Sequence, residues 1–265
     1  MPEGDVVWLT AQRLHQALAG RVLTETDLRV PAHATADLSG ATVLDVVSHG
    51  KHLLHRLSGL GTHPPLTLHT HLKMEGAWHL YRPRGRWRRP AHQARALLRT
   101  DQWQAVGFSL GICELLPTAD EQRVVGHLGP DLLGRGWDAD EAVRRIRADP
   151  GRTVAEALLD QRNLAGIGTL YRSEVLFLRG LHPESPVAAV SDLTAVVSLA
   201  QRLLYANRDG VAQSTTGNAR RGQQHWVYQR SGQPCRRCGT PIEHGYLGAP
   251  SQQRGVFWCP RCQPA

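Results

Sequence analysis

Apolar residues begin the chain at helical spacing. Val6, Val7, Leu14 and Leu18 fall near one side of a helix over residues 3–19, and Gly20 stops it. From about 21 to 116 the period shortens to two. Stretches such as RVLTETDLRV, ATVLDVVSHG, KHLLHRL and PLTLHTHL alternate apolar with polar residues between turn residues, which predicts two packed antiparallel sheets. After Pro117 the three- and four-residue steps return in DADEAVRRIRAD, RTVAEALLD, TLYRSEVLFLRG and VSDLTAVVSLAQRLLYAN, a helical region. Residues 210–225, GVAQSTTGNARRGQQH, are polar, basic and glycine-bearing, and read as a linker or a loop that orders on a partner.

Cysteine spacing adds a third part. Cys235, Cys238, Cys259 and Cys262 form two CxxC pairs near the C-terminus, in a chain for which the first twenty residues predict no export signal. Such spacing predicts one structural zinc ion in a closed tetrahedral thiolate site rather than disulfides. His244 is a conceivable ligand, but four cysteines complete the set. Val256, Phe257 and Trp258 supply a strand into the second pair, and Arg254 sits at the hairpin tip. It reads either as a solvated arginine or as a side chain directed at a phosphate. Cys113, in GFSLGICELL, reads as a buried, inert thiol.

Charge changes the picture next. The 265 residues carry 31 basic and 23 acidic groups, a net +8, which favours a polyanionic partner without proving one. Among the basic residues only Lys51 and Lys73 are lysines, so each invites a question about role. No apolar run is long enough to span a membrane, and a cytoplasmic protein is expected.

Two further segments carry candidate chemistry. In DQRNLAGIGTLYRSEVLF, residues 160–177, a helix ends near Arg162, LAGIG turns, and a new helix begins near Thr169. Free N–H groups at that start favour a phosphate, although a plain helical hairpin explains the same pattern. At the N-terminus, MPEG permits removal of Met1 and exposure of the secondary amine of Pro2. Attack by that amine on a sugar aldehyde carbon gives an iminium ion, an electron sink for elimination, with Glu3 beside it for proton transfer. Read locally, Pro2 and Glu3 are simply a helix start.

These motifs in this order resemble the formamidopyrimidine-DNA glycosylase / endonuclease VIII family, the endonuclease VIII branch in particular. The resemblance runs through MPEGDVVW, SHGKHLL, HTHLKMEGAW, LLDQRNLAGIGTLYRSEVLF and the four-cysteine finger. It implies an α+β multidomain fold: an N-terminal helix plus antiparallel β-sandwich (1–118), a helical helix-two-turn-helix domain (119–228) and a zinc finger (229–265). It further implies a base-excision-repair glycosylase with β,δ-elimination lyase activity on double-stranded DNA carrying oxidised bases, pyrimidines favoured, or abasic sites, acting as a monomer at the nucleoid of a prokaryotic-type cell. Pro2 would form the Schiff base with C1′ and Glu3 would protonate the sugar. Lys51 would assist β-elimination, and Arg254 would grip phosphates and support δ-elimination. His71 matches a phosphate-contacting position, with a core histidine as the plainer reading, and Met74 matches the residue inserted into the emptied stack.

The chain also departs from the family. Thr169 replaces the usual Asn of GxGN, which predicts weaker DNA binding. Lys73 and Glu75 flank Met74 where other members differ, and only Phe108 offers itself as a second wedge residue. Purine-lesion specificity, a catalytically silent binder of damaged DNA and a zinc-ribbon interaction module are the competing readings. The last explains only the C-terminal 35 or so residues, and retention of Pro2, Glu3, Lys51 and Arg254 argues against the second.

Overall fold

The computed structural model of the chain describes residues 2–210, 212–250 and 253–265, in two compact units that divide between His127 and Leu128. In the first, helix α1 (Gly4–Leu18) starts with extended Glu3 as its N-cap and Asp5 in its first turn, where a carboxylate suits the helix dipole. Val7, Ala11, Leu14 and Leu18 face the core, whereas Val6 is only half-buried. The strands β1 (Glu25–Leu28), β2 (Val43–His49), β3 (His52–Leu57), β4 (Leu66–His71), β5 (Ala77–Tyr81), β6 (Ala94–Arg99), β7 (Gln104–Phe108) and β8 (Ile112–Pro117) follow. They make two four-stranded antiparallel sheets, ordered β1-β6-β7-β5 and β2-β3-β4-β8.

The two sheets and α1 share one apolar cluster that includes Leu14, Leu18, Leu28, Leu53, Leu57, Leu68, Ala96 and Leu98, so the sandwich is closed by its inward-pointing alternate residues. Its outer polar face is not loose. Arg56 on β3 grips Glu121, just before the short helix α2 (Gln122–Val125), with two bonds of 2.8 and 2.7 Å, and the Thr67 hydroxyl donates to the same carboxylate at 2.6 Å.

The second unit contains α3 (Ala139–Arg147), α4 (Val154–Leu159), α5 (Thr169–Arg179) and α6 (Leu193–Asn207), then the hairpin β9 (Glu243–Leu247) with β10 (Arg254–Trp258). Helix α5 is central and buried from Thr169 to Phe177. It ends at Gly180 with φ of 68°, a left-handed stop that glycine adopts without a Cβ penalty.

Residues 212–225 are not the linker or partner-ordered loop that their composition predicts. Ser214 N donates to Asn207 Oδ1 at 2.6 Å, Thr215 N to the Gln224 carbonyl at 2.9 Å, and Arg236 to the carbonyls of Gly222 and His225 at 2.6 and 2.9 Å. Internal hydrogen bonds fix a segment that polarity alone reads as solvent-dependent. Val211 lies outside the described residues. No helix among the described residues is long and apolar enough to cross a membrane.

Candidate active site

Two tethers set how α1 lies on β2. Gly20 N donates to the Val43 carbonyl at 2.8 Å, and Val46 N donates to His15 Nδ1 at 3.2 Å. Moving back along the helix therefore means moving forward along the strand. From His15 to Gly4 is about 16 Å at roughly 1.5 Å per residue, and from Val46 to Lys51 is about the same at roughly 3.3 Å per residue. The start of α1, with Pro2 and Glu3, thus comes level with the Gly50–Lys51 turn. Glu3 is 0% exposed, while Pro2 and Lys51 are half-buried. Gly50 has φ of 56°, the left-handed conformation that this tight β2–β3 turn requires.

Beside that turn lies a cluster that spacing did not disclose. His52 pairs with His71, and His69 with Glu114, across adjacent strands of one sheet. Glu114 and His69 Nδ1 are 2.6 Å apart, and His69 Nε2 and His52 Nδ1 2.8 Å. The carboxylate requires the proton on His69 Nδ1. His69 Nε2 then accepts from His52 Nδ1–H, which leaves His52 Nε2 as an acceptor. The His52 and His71 rings meet edge-on at 4.9 Å. Burial first, then neighbouring His71, His69, His127 and His49, pushes the His52 pKa down to about 3. Burial, then Lys73, Lys51 and His69, pushes His71 down to about 4. An alternating HxxH and HTH pattern was the only hint of this in the sequence.

Met74 is 64% exposed at the tip of the β4–β5 turn. The turn beneath it is built. Lys73 adopts φ of 51° and its N–H donates to His71 Nδ1 at 2.9 Å, while Gly76 N donates to the Leu72 carbonyl at 2.9 Å. A Cβ on Gly76 would sit 2.4 Å from that same oxygen, so only glycine closes the turn. Phe108, by contrast, is 0% exposed among Tyr81, Ala94, Leu97 and Val106, so it is a core residue and not a wedge. Cys113 is half-buried, and its thiol is pushed up to about 11 by burial, then by Glu114.

In the second unit, Thr169 is buried in the first turn of α5, after Gly168 as N-cap. The next turn of this helix holds the finger hairpin: Arg172 donates to the Gly255 carbonyl at 2.5 Å, and Phe257 N to Ser173 Oγ at 3.4 Å. Exposed Arg254 opens β10 at that contact, so the helix start and the hairpin arginine are linked through adjacent residues. Ser251 and Gln252 lie outside the described residues.

The four cysteines meet a geometric test for a metal. Their sulfurs all lie within 4.8 Å of one another, with separations of 3.9, 3.4 and 3.6 Å for the pairs 235–262, 238–259 and 238–262. A tetrahedral site with Zn–S near 2.3 Å needs S–S of about 3.8 Å. The donor set fits zinc or a comparable thiophilic cation.

Residues 1–109 match the formamidopyrimidine-DNA glycosylase N-terminal domain, and 128–217 its H2TH domain. The chain is 53% identical to a probable endonuclease 8 2 of Streptomyces coelicolor, over 99% of this chain and 94% of that protein. It is 45% identical to the DNA-(apurinic or apyrimidinic site) lyase Nei2 of Mycolicibacterium smegmatis over the whole of both. The chain belongs to the formamidopyrimidine-DNA glycosylase / endonuclease 8 family of bifunctional DNA glycosylases and abasic-site lyases.

Its fold is that of Lactococcus lactis Fpg solved with abasic-site DNA (TM-score 0.78, 21% identity, 99% of this chain and 100% of that one). The same enzyme with oxidised-pyrimidine DNA gives 0.78 and 21% over both chains entire. Within this family fold, Glu174 is the residue that sequence reasoning missed. It is 0% exposed on α5 and accepts from the backbone N–H groups of Trp226, Val227 and Tyr228, each at 2.8 Å, and from the Thr215 hydroxyl. A Glu inside an apolar helical face was its one signal.

Proposed function

We propose that this chain removes oxidised pyrimidines from DNA and cleaves the strand at the resulting abasic site, using the amine of Pro2 freed by loss of Met1. The observation that carries this reading is the alignment of the α1 start with the Lys51 turn, with Glu3 fully buried as the N-cap of that helix. An α-amino group near pKa 7.7–8.0, by a rough general value, is partly unprotonated at neutral pH and attacks C1′. The base leaves with a proton, and the sugar–amine adduct is an iminium. Loss of a C2′ proton then expels the 3′ phosphate, and a second elimination expels the 5′ phosphate. Glu3 delivers the proton to the sugar oxygen that opens the ring. Lys51 assists the first elimination, and Arg254 holds the phosphates.

Met74 fills the stack that the flipped nucleotide leaves, and His71, neutral with its Nδ1 already accepting from Lys73, offers Nε2–H to a phosphate. Thr169 presents backbone N–H groups and a short hydroxyl at the start of α5. Zinc on Cys235, Cys238, Cys259 and Cys262 is structural, because four thiolates leave no position for water. Its partner is damaged duplex DNA, bound by a monomer in the bacterial cytoplasm.

Borohydride trapping on duplexes with an abasic site, 5-hydroxyuracil, 8-oxoguanine or formamidopyrimidine tests the reading. A covalent adduct is expected with abasic and pyrimidine lesions, and is lost in Pro2→Gly or when Met1 is retained. Adducts favouring the purine lesions would correct the substrate. No adduct with any duplex would make the protein a silent binder.

A further inference from the structure

The β5–β6 connection, residues 82–93, reads RPRGRWRRPAHQ, with five arginines and no carboxylate. Arg82, Arg84, Arg86 and Arg88 are exposed, while Pro83, Gly85, Trp87 and Arg89 between them are half-buried. Elsewhere in this unit Arg21, Arg29, Arg56 and Arg99 each pair with an Asp or Glu. Among the described residues, none of the five loop arginines has a carboxylate within ion-pair distance. Nor does Arg13 on the neighbouring helix.

These cations are held on a fixed frame. Trp87 packs edge-on against Phe108 at 5.8 Å, donates to Gln104 at 3.4 Å, and carries the Arg29 guanidinium over its face at 5.6 Å. Gln104 in turn donates to the carbonyls of Arg82 and Pro83. Beside the loop, a hollow of about 310 Å³ is lined by Thr10, Arg13, the β5 strand and Arg88. Strand β5 is the open edge of its sheet. Tyr81 OH accepts from Arg88 N at 3.0 Å and lies 2.9 Å from His79 Nδ1, which ties the loop backbone to the strand. The hollow thus offers two guanidinium groups beside an imidazole, with no acid among its lining residues.

We propose that Arg13, Arg84, Arg86 and Arg88 form an accessory phosphate-binding surface that holds the DNA backbone outside the lesion. A free phosphate fills only the hollow, whereas the arginines continue past it along the loop. Arg89 also donates to the Glu75 carbonyl at 2.9 Å, next to Met74, so the surface is continuous with the turn that carries the inserted side chain. The choice of DNA as the polyanion rests on the glycosylase reading; the surface itself does not. Phosphate contacts position a protein without reading the base, so the contribution is the same for damaged and undamaged duplex.

The test uses the zinc-loaded full chain carrying R84Q, R86Q and R88Q. Binding to an abasic-analogue duplex and to an undamaged duplex is followed against salt. Each lost phosphate contact removes about 0.9 from the log–log slope, so a fall of roughly 2–3 is expected on both duplexes. Their affinity ratio and the trapping yield at saturation stay unchanged. R13Q alone, on the helix, should lower the slope by about one and guards against a misfolded loop variant. Wild-type slopes in both variants would overturn the proposal. So would an unchanged DNA slope with loss of binding to a polyglutamate peptide, which would make this an acidic-protein surface. Competition by inorganic phosphate at constant ionic strength, with no effect of the loop substitutions, would reduce it to a free-anion site. Failure of wild-type trapping with these slopes intact would sink the glycosylase reading alone.

Discussion

Glu121 in the first unit and Glu174 in the second each sit at a junction between segments distant in sequence, and they are satisfied in opposite ways. Glu121 is met by side chains, the two-pronged Arg56 guanidinium and the Thr67 hydroxyl. Burial pushes its pKa upward, but the bonds from Arg56 and Thr67 outweigh that, and the net shift is downward. Glu174 is met mainly by backbone, three consecutive N–H groups at residues 226–228. A side-chain partner can be removed together with its carboxylate. Backbone donors cannot, so the second arrangement has no neutral substitution.

The largest effect should therefore come from Glu174→Ala. Three buried N–H groups lose their acceptor, each worth about 1–3 kcal/mol, which together reach the scale of a domain's whole stability. The strap 226–228 leads into the finger, since Val227 and Phe177 share a cluster with Cys235 and Cys259. Zinc content by metal analysis should drop well below one per chain, and the urea midpoint of the α5 region should collapse. A variant with full zinc and a wild-type midpoint would show that the strap is held by packing, not by the carboxylate.

Removing Glu121 alone should cost less, about 2–3 kcal/mol, because Arg56 keeps Asp45 at 3.3 Å. The pair Arg56→Met with Glu121→Leu should recover most of that loss, since an apolar pair of similar volume avoids the desolvation cost. A double-mutant cycle by urea denaturation measures the coupling, expected at about 1–3 kcal/mol. Loss in the double variant equal to the sum of the singles would place Glu121 with Glu174, as a carboxylate without a replaceable partner.

This difference also marks what the sequence made legible. Residues with a local signature were found: the α1 stripe and Gly20, the GIG turn before Thr169, the two CxxC pairs, and the strand into Cys259. Each depends on neighbours within a turn or two of the chain. Glu174, Glu121 and the His52–His69–Glu114 chain depend on contacts across 17 to 65 residues, where no spacing rule operates. The polar segment 212–225 escapes a composition reading for a related reason, as the Thr215 hydroxyl finds its acceptor, Glu174, on α5. Phe108 failed as a wedge because strand alternation turned it inward, a fact set by pairing with Ala77 and Ala94. Met74 is exposed where its place at a turn tip predicts, because such a tip faces solvent whatever packs behind it.

Acid should separate the two units more gently. His52 and His55 are pushed down to about 3, and His71 to about 4, burial being the first cause for each. All three lie on β3 and β4. The unfolded chain binds these protons near pH 6.5, roughly, while the folded unit refuses them until pH 3–4, so stability is complete above about 6.5 and declines as pH falls through that window. Among the described histidines of the second unit only His225 is shifted the same way, again by burial, with Glu174 opposing. Hydrogen exchange corrected for intrinsic rates should show, at about pH 5, lost protection in β3 and β4 while α5 holds. His55 sharpens the test, because it is 0% exposed, packs on Trp78 at 4.8 Å, and has no hydrogen-bond partner at either ring nitrogen. His55→Leu removes a proton-binding site and an unsatisfied polar group together, so protection of β3 at about pH 5 should rise toward its neutral value. If α5 opened first, or if His55→Leu left the acid response of β3 untouched, the histidine face would not be what distinguishes the units in acid.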